Sequence, residues 1–160
     1  MRKYGDNGDD VEANEQELDT LLETARRATR ENEPAAVIEA CERALSIAPN
    51  DTRFVFMHGV ALRRCGDYDA AEPNLQKIVD AAPNLAAAQQ EFGLNCLSLG
   101  RLSEARKSLE KAVQLEPGLS TAWQGLYNAR AAEGDDIGAC LLYTSPSPRD
   151  CVSNLVCRLL

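Results

Sequence analysis

The sequence predicts an all-α fold, a solenoid of antiparallel helix hairpins, and three observations carry that expectation. Pro49, Pro83 and Pro117 recur at intervals of 34 residues. The same period runs through Gly59 and Gly93, through Gly66, Gly100 and Gly134, through Ala71, Ala105 and Ala139, and through Leu75 and Leu109. Between these landmarks the apolar residues follow helical spacing, as in Val55, His58, Gly59 and Leu62. A fixed period of this length marks a stack of identical supersecondary units. One hairpin is too small to bury its own apolar face, so neighbours must cover it.

Counting back from the prolines places repeats at 18–51, 52–85 and 86–119, with a partial fourth at 120–139. Each repeat reads as two helices. Gly66 and Gly100 end first helices, where the chain needs a left-handed residue. Asp67, Ser103 and Asp135 are expected to cap the second helices, and Asn84 and Ser120 the next first helices. The periodic prolines stop the second helices, since proline cannot continue one. Gly59, Gly93, Ala71 and Ala105 are small enough to let paired helices approach closely. Pro73 falls inside a second helix; if that helix starts near Asp69 it lies within the first turn or so, where the missing N–H costs little, and a small kink is the alternative.

The two ends differ from this pattern. Residues 1–13 hold Asp6, Asp9, Asp10 and Glu12 with few apolar residues, and a disordered acidic arm is expected there. The repeat domain then occupies 14–139. From Cys140 the chain reads Leu141-Leu142-Tyr143-Thr144-Ser145-Pro146-Ser147-Pro148-Arg149-Asp150. This stretch resembles an in-frame translation of a transposase-based sequencing adapter, and Asn154–Leu160 resembles its continuation. Residues 140–160 are therefore expected to be a non-native tail that truncates the fourth repeat.

The residues at the repeat landmarks resemble the tetratricopeptide repeat, whose pattern is Trp-x2-Leu-Gly-x2-Tyr, Ala-x3-Phe and Pro over 34 residues. Trp123 and Leu126 match its start, with Tyr127 in the glycine place. Repeats two and three carry the glycine, alanine and proline, with leucines in the phenylalanine place. The first repeat departs most, with Ala25, Val37 and Cys41 at the glycine, alanine and phenylalanine positions. The resemblance covers about residues 18–139 and implies a right-handed superhelical solenoid that binds protein partners. The run from Gly100 to Ala139 is also similar to repeats that precede bacterial sulfotransferase domains, so a module of a larger enzyme is the alternative.

Composition narrows the function classes. A formal charge of -8 argues against nucleic acid as a partner, because such binding depends on neutralising phosphates. No run approaches the roughly 20 apolar residues of a membrane span, and the N-terminus lacks the apolar segment of a secretory signal. A cytoplasmic protein without membrane contact is expected. Cys41, Cys65 and Cys96 form no C-x-x-C pair, so they read as buried small apolar residues rather than a metal site or disulfide framework. His58 stands in no nucleophile or base motif and reads as a packed side chain. Glu104, Glu110 and Lys111 read as solvated charges on outward faces. No catalytic residue, cofactor or metal is implied.

The first helices carry a second stripe that hairpin packing does not use. It runs through Arg53, Phe56, Val60 and Arg63, with Asp19, Leu22, Arg26 and Thr29 before it. Ala87, Gln90, Leu94 and Leu97 follow, then Thr121, Gln124, Asn128 and Ala131. In proteins resembling this one, such residues line a concave groove that holds an extended peptide. The expected groove residues are Arg26, Arg53, Phe56, Val60, Arg63, Gln90, Leu94, Leu97, Gln124 and Asn128. Three arginines among apolar residues in an acidic chain point to a protein or peptide partner that is acidic and carries apolar anchors. One subgroup of the family clamps acidic chaperone C-termini with polar residues on this stripe. Val60 and Leu94 stand where that clamp needs polar groups, so that function is not expected.

Overall fold

A computed structural model describes residues 7–134. These residues form seven helices and no strand: α1 (Asn7–Arg30), α2 (Pro34–Ile47), α3 (Thr52–Cys65), α4 (Tyr68–Ala81), α5 (Ala86–Ser98), α6 (Leu102–Leu115) and α7 (Ser120–Ala132). The first helices α3, α5 and α7 begin at Thr52, Ala86 and Ser120, and the second helices at Pro34, Tyr68 and Leu102. Both series keep the 34-residue spacing of the sequence. The chain divides into two compact units between Ile78 and Val79. In the first, α2 packs on α1 and α3; in the second, α5, α6 and α7 all pack on one another.

Residues 7–13 correct the expected disordered arm, since α1 already begins at Asn7. Helix propagation from a packed turn costs far less than nucleation. Leu21 and Leu22 are buried and supply that packed turn. Residues 1–6 and 135–160 lie outside the described residues, and with them Asp135, Ala139 and the whole of the expected tail.

The first helices end alike. Gly66 and Gly100 adopt φ of 87° and 75°, and Asn32, in the same register, adopts 58°. After each, the next amide reaches back five residues along the helix end: Glu33 N–H to the Ala28 carbonyl, Asp67 to Leu62, and Arg101 to Cys96, at 2.9, 3.0 and 2.9 Å. Asparagine is the residue that best replaces glycine in this conformation. Asn32 therefore belongs to the glycine series, although its identity hides it from a search for identical residues.

The N-terminal caps follow expectation only in part. Asp67 accepts from the Ala70 amide at 3.3 Å, ahead of α4. Asp51 likewise caps α3, accepting from the Arg53 amide at 2.9 Å. Ser103 and Ser120 instead lie within the first turns of α6 and α7, and Asn84 precedes the cap of α5. The capping positions hold Arg101, Leu119 and Leu85, which make no side-chain cap. Before α5 and α7 the backbone turns first, with the Leu85 and Leu119 amides bonded to Ala82 and Glu116, so the helices start one residue away from the polar candidates. Pro73 also departs from expectation. With α4 starting at Tyr68 it lies in the second turn, so α4 lacks the bond that an amide at residue 73 would give to the Asp69 carbonyl.

Hairpin packing rests on small residues facing leucines. A Cβ on Gly93 would meet Leu109 Cγ at 2.7 Å and the Ala105 carbonyl oxygen at 3.2 Å. A Cβ on Gly59 would meet Leu75 Cδ2 at 3.0 Å. Leu75 and Leu109 are fully buried beneath these glycines, each contributing about 1.5–3 kcal/mol of apolar burial. In the first unit the core joins Leu21, Ala25, Val37, Cys41 and Ala44 with Phe54 and Ala61 of α3. Phe54 was outside the expected stripe; it faces back onto the preceding hairpin. Cys41 and Cys96 are buried as expected, and burial pushes the Cys41 thiol up to about 12. Cys65 is exposed instead, because it ends α3 beyond the packed turns.

Several polar groups inside the hairpins have defined partners. Trp123 Nε1 donates to the Pro117 carbonyl at 2.9 Å, and Gln89 Nε2, in the same register, donates to the Pro83 carbonyl at 3.0 Å. Glutamine thus reproduces the bond made by Trp123 one repeat later. Glu110, expected on a solvated face, is half-buried and accepts from Arg130 at 2.8 Å and Arg106 at 3.4 Å; Arg106 also donates to Glu133 at 3.1 Å. Glu104 remains exposed, whereas Lys111 is half-buried. His58 is only partly satisfied. Asn74 donates to its Nδ1 at 3.1 Å, which leaves the neutral ring's proton on Nε2. That atom is buried with no hydrogen-bond partner among the described residues, 4.0 Å from Glu42 Oε1.

Two outcomes follow. Gly93→Leu should overpack the contact with Leu109 and the Ala105 carbonyl, costing roughly 1–3 kcal/mol or more in chemical denaturation; unchanged stability would contradict this packing. Burial lowers the His58 pKa from its ordinary value more than Glu42 raises it. The unfolded chain therefore binds a proton here that the folded chain resists, and stability falls as pH drops through the unfolded pKa of about 6.5. Replacing His58 with Leu should flatten the loss of stability between pH 7.5 and 5 relative to the parent; identical pH slopes would exclude His58 as the cause.

Candidate functional site

Phe56, Val60, Leu94, Leu97 and Arg63 of the first-helix stripe are half-buried, Arg26 and Arg53 are exposed, and its members do not act as one set. In the first unit, Arg26 of α1 meets Phe56 and Val60 of α3 around a cavity of about 330 Å³. Ala28 and Val37 add apolar lining from α1 and α2, and Met57 and Ala61 from α3. The rim carries Arg26, Arg30 and Arg64 with Glu33 as the single acidic group. Arg30 and Arg64 are 34 residues apart, so they hold the same place on successive first helices. They were missed as site residues because the stripe was drawn one position away; their shared register was the available signal.

The arginines of the stripe differ in what already holds them. Arg26 Nη1 pairs with Glu23 Oε1 at 2.8 Å, but both side chains are more than half exposed. Such a pair contributes little. Arg53 is committed elsewhere. Its guanidinium gives Asp51 two short contacts, Nη2 to Oδ2 at 2.7 Å and Nε to Oδ1 at 3.1 Å. It also lies 5.8 Å from the centroid of the Phe54 ring. The Arg53 hydrogen bond holds the Asp51 carboxyl below the usual carboxylate range against the opposing effect of burial, and raises the Arg53 guanidinium in turn. Arg53 and Arg63 do not line the cavity.

In the second unit the stripe is closed. A Cβ on Gly125 of α7 would lie 2.8 Å from Leu94 Cδ2, so Leu94 fills the space between α5 and α7. Gln90 Nε2 bonds the neighbouring Glu91 at 3.3 Å, and its Oε1 is buried without a partner among the described residues. Gln124 and Asn128 bond each other at 3.2 Å on an exposed face. Leu97 is half-buried. Of the ten expected groove residues, the cavity therefore gathers Arg26, Phe56 and Val60. Among the described residues no group of His, Cys, Asp and Glu side chains could hold a metal ion. No helix there is long and apolar enough to cross a membrane.

Comparison with known proteins agrees with the hairpin geometry. The tetratricopeptide repeat family matches residues 52–85 and 86–118. Human tetratricopeptide repeat protein 7B is 27% identical over 106 residues, 66% of this chain but 13% of the human protein's length. Residues 41 to the end of MamA from Desulfovibrio magneticus superpose with a TM-score of 0.74 at 23% identity, covering 79% of this chain and 72% of that one. The first such domain of Spaghetti (RPAP3), solved with the HSP90 peptide SRMEEVD, gives 0.67 at 20% identity, covering 74% of this chain and 94% of that one. At these identities the two structures share the fold with this chain. The matched repeats, their 34-residue register and the close glycine–leucine packing of the hairpins identify residues 52–118 as tetratricopeptide repeats.

Proposed function

We propose that the chain is a protein-interaction scaffold that takes an extended segment of a partner on its first helices, through apolar anchors and acidic side chains. The cavity where Arg26, Phe56 and Val60 meet carries this reading. Half-buried apolar side chains with unsaturated surface supply affinity, and exposed arginines in a chain of net charge -8 orient an acidic partner. The peptide-bound structure of the RPAP3 domain supports the use of this fold for peptide capture. Val60 and Leu94 stand where the chaperone clamp needs polar groups, so that clamp is not proposed for this chain. Acidity places nucleic acid outside the expected ligands, and a cytoplasmic protein partner fits the composition.

A second reading keeps the same face but makes the repeats a module of a larger enzyme, such as a bacterial sulfotransferase. The match to 13% of the human relative's length favours a modular setting. Recovery of the parent gene decides between them: a phosphosulfate-binding loop after the repeats selects the enzyme.

Selection of peptides from a display library on the full chain tests the first reading. The selected peptides should be rich in acidic and apolar residues, and Phe56→Ala should weaken them about tenfold, as truncation of a buried aromatic anchor does. Peptides without that bias, and indifferent to Phe56→Ala in a variant that remains helical, would reassign the stripe to packing.

A further inference from the structure

The cavity of about 330 Å³ lies at the turn end of the first hairpin, and its walls reach beyond the first-helix stripe. Pro34 and Val37 close it from the start of α2, and Phe56, Met57 and Val60 from α3. Ala28, Val37 and Ala61 make a buried floor. Its volume falls in the range of small-molecule sites, and its walls are almost wholly apolar. Thr29 is a polar member of the lining, and its hydroxyl already donates to the Ala25 carbonyl at 2.8 Å. A peptide backbone drawn inside would exchange water for apolar walls, which is costly for amide groups. A saturated hydrocarbon chain carries no such groups and gains by leaving water.

The opening selects the head group. Arg26 and Arg30 reach it from the end of α1 and Arg64 from the end of α3, all three exposed. A guanidinium binds a carboxylate through two parallel hydrogen bonds. Arg26 is available for this, since its pair with Glu23 is exposed and weak. Glu33 stands on the same rim and opposes a second negative charge, so a monoanion fits better than a dianionic phosphate. A chain of net charge -8 is also repelled by an anionic bilayer surface, which favours a free amphiphile over one held in a membrane.

We propose that this cavity is a binding site for a free single-chain carboxylate, a medium-chain fatty acid in chemical class. The hydrocarbon chain enters between α1, α2 and α3, and the carboxylate stays at the opening among Arg26, Arg30 and Arg64. This occupant shares Phe56 and Val60 with the partner segment inferred above, but its binding does not depend on that reading.

Titration calorimetry of the full 160-residue protein with octanoate, decanoate and dodecanoate, each below micelle formation, tests this. A single ligand should bind per chain, with affinity rising about fourfold for each added methylene until the cavity is filled. Decyltrimethylammonium, with a similar hydrocarbon chain and the opposite charge, should bind about tenfold more weakly than decanoate or worse. Added salt should weaken decanoate binding. Arg30→Gln with Arg64→Gln, both at exposed positions, should weaken decanoate about tenfold without loss of helicity. Val60→Trp should obstruct the cavity and lower decanoate affinity in a chain that remains helical. Equal affinity for decanoate and the ammonium probe, affinity that ignores chain length, or several ligands per chain overturns the proposal. Decanoate binding unchanged by the paired arginine substitutions overturns it as well. Binding to phosphatidylglycerol vesicles without binding of free decanoate would assign the surface to a membrane and sink the free carboxylate. Library peptides that depend on Phe56, in a protein that ignores decanoate, would leave the scaffold reading standing and the carboxylate site wrong. Decanoate binding with no selected peptide would do the reverse.

Discussion

The close approach of a small residue on one helix to a leucine on its partner governs the hairpins. At Gly93, even a methyl group would press on Leu109 and on the backbone oxygen of Ala105. Two helices held this near each other must meet at one register, because a shift by one residue replaces glycine with a side chain. That register in turn fixes where the helix ends fall. The first repeat meets the same constraint with different residues. Ala25 occupies the glycine place and Cys41 the leucine place, and both are fully buried. The added methyl on one side is offset by a shorter side chain on the other, a volume-conserving exchange of the kind cores tolerate.

The features legible in the sequence are those with one physical solution. A left-handed residue after each first helix, a proline after each second helix and a small residue at the hairpin contact are steric demands, so few residue types meet them. Caps were less legible because they can be met in several ways. Backbone turns ahead of α5 and α7 moved the helix starts past Asn84 and short of the side-chain geometry expected of Ser120. Glu110 was misread for a related reason. Its helix face looks solvent-directed until Arg130, arriving from the next first helix, covers it and pairs with it. Long-range partners of this kind leave no local signature.

The candidate site shows the same division. Position on the first-helix stripe was readable from period alone, and Phe56 and Val60 do lie at the cavity. Whether a stripe position is open or closed depends on a pair of residues about one repeat apart. Leu94 closes against Gly125, whereas Arg26 and Met57 both border the cavity. A stripe read one helix at a time cannot register that difference.

Arginine count is likewise a poor guide to the charge available to a partner. Arg53 is half exposed, yet its two contacts to Asp51 complete the cap of α3, and Asp51 itself is largely shielded. Withdrawing Arg53 toward a ligand would cost a charge-assisted pair at a helix start, where the carboxylate also accepts a backbone amide. Arg26 faces no such penalty, since its pair with Glu23 is exposed and weakly held. Arg30 and Arg64 are exposed at helix C-termini, where their charge is favourable with or without a partner. These three can turn toward an acidic segment without unpairing a buried group. The cationic edge of the first unit is therefore the part of the stripe whose charges are not already spent on the fold.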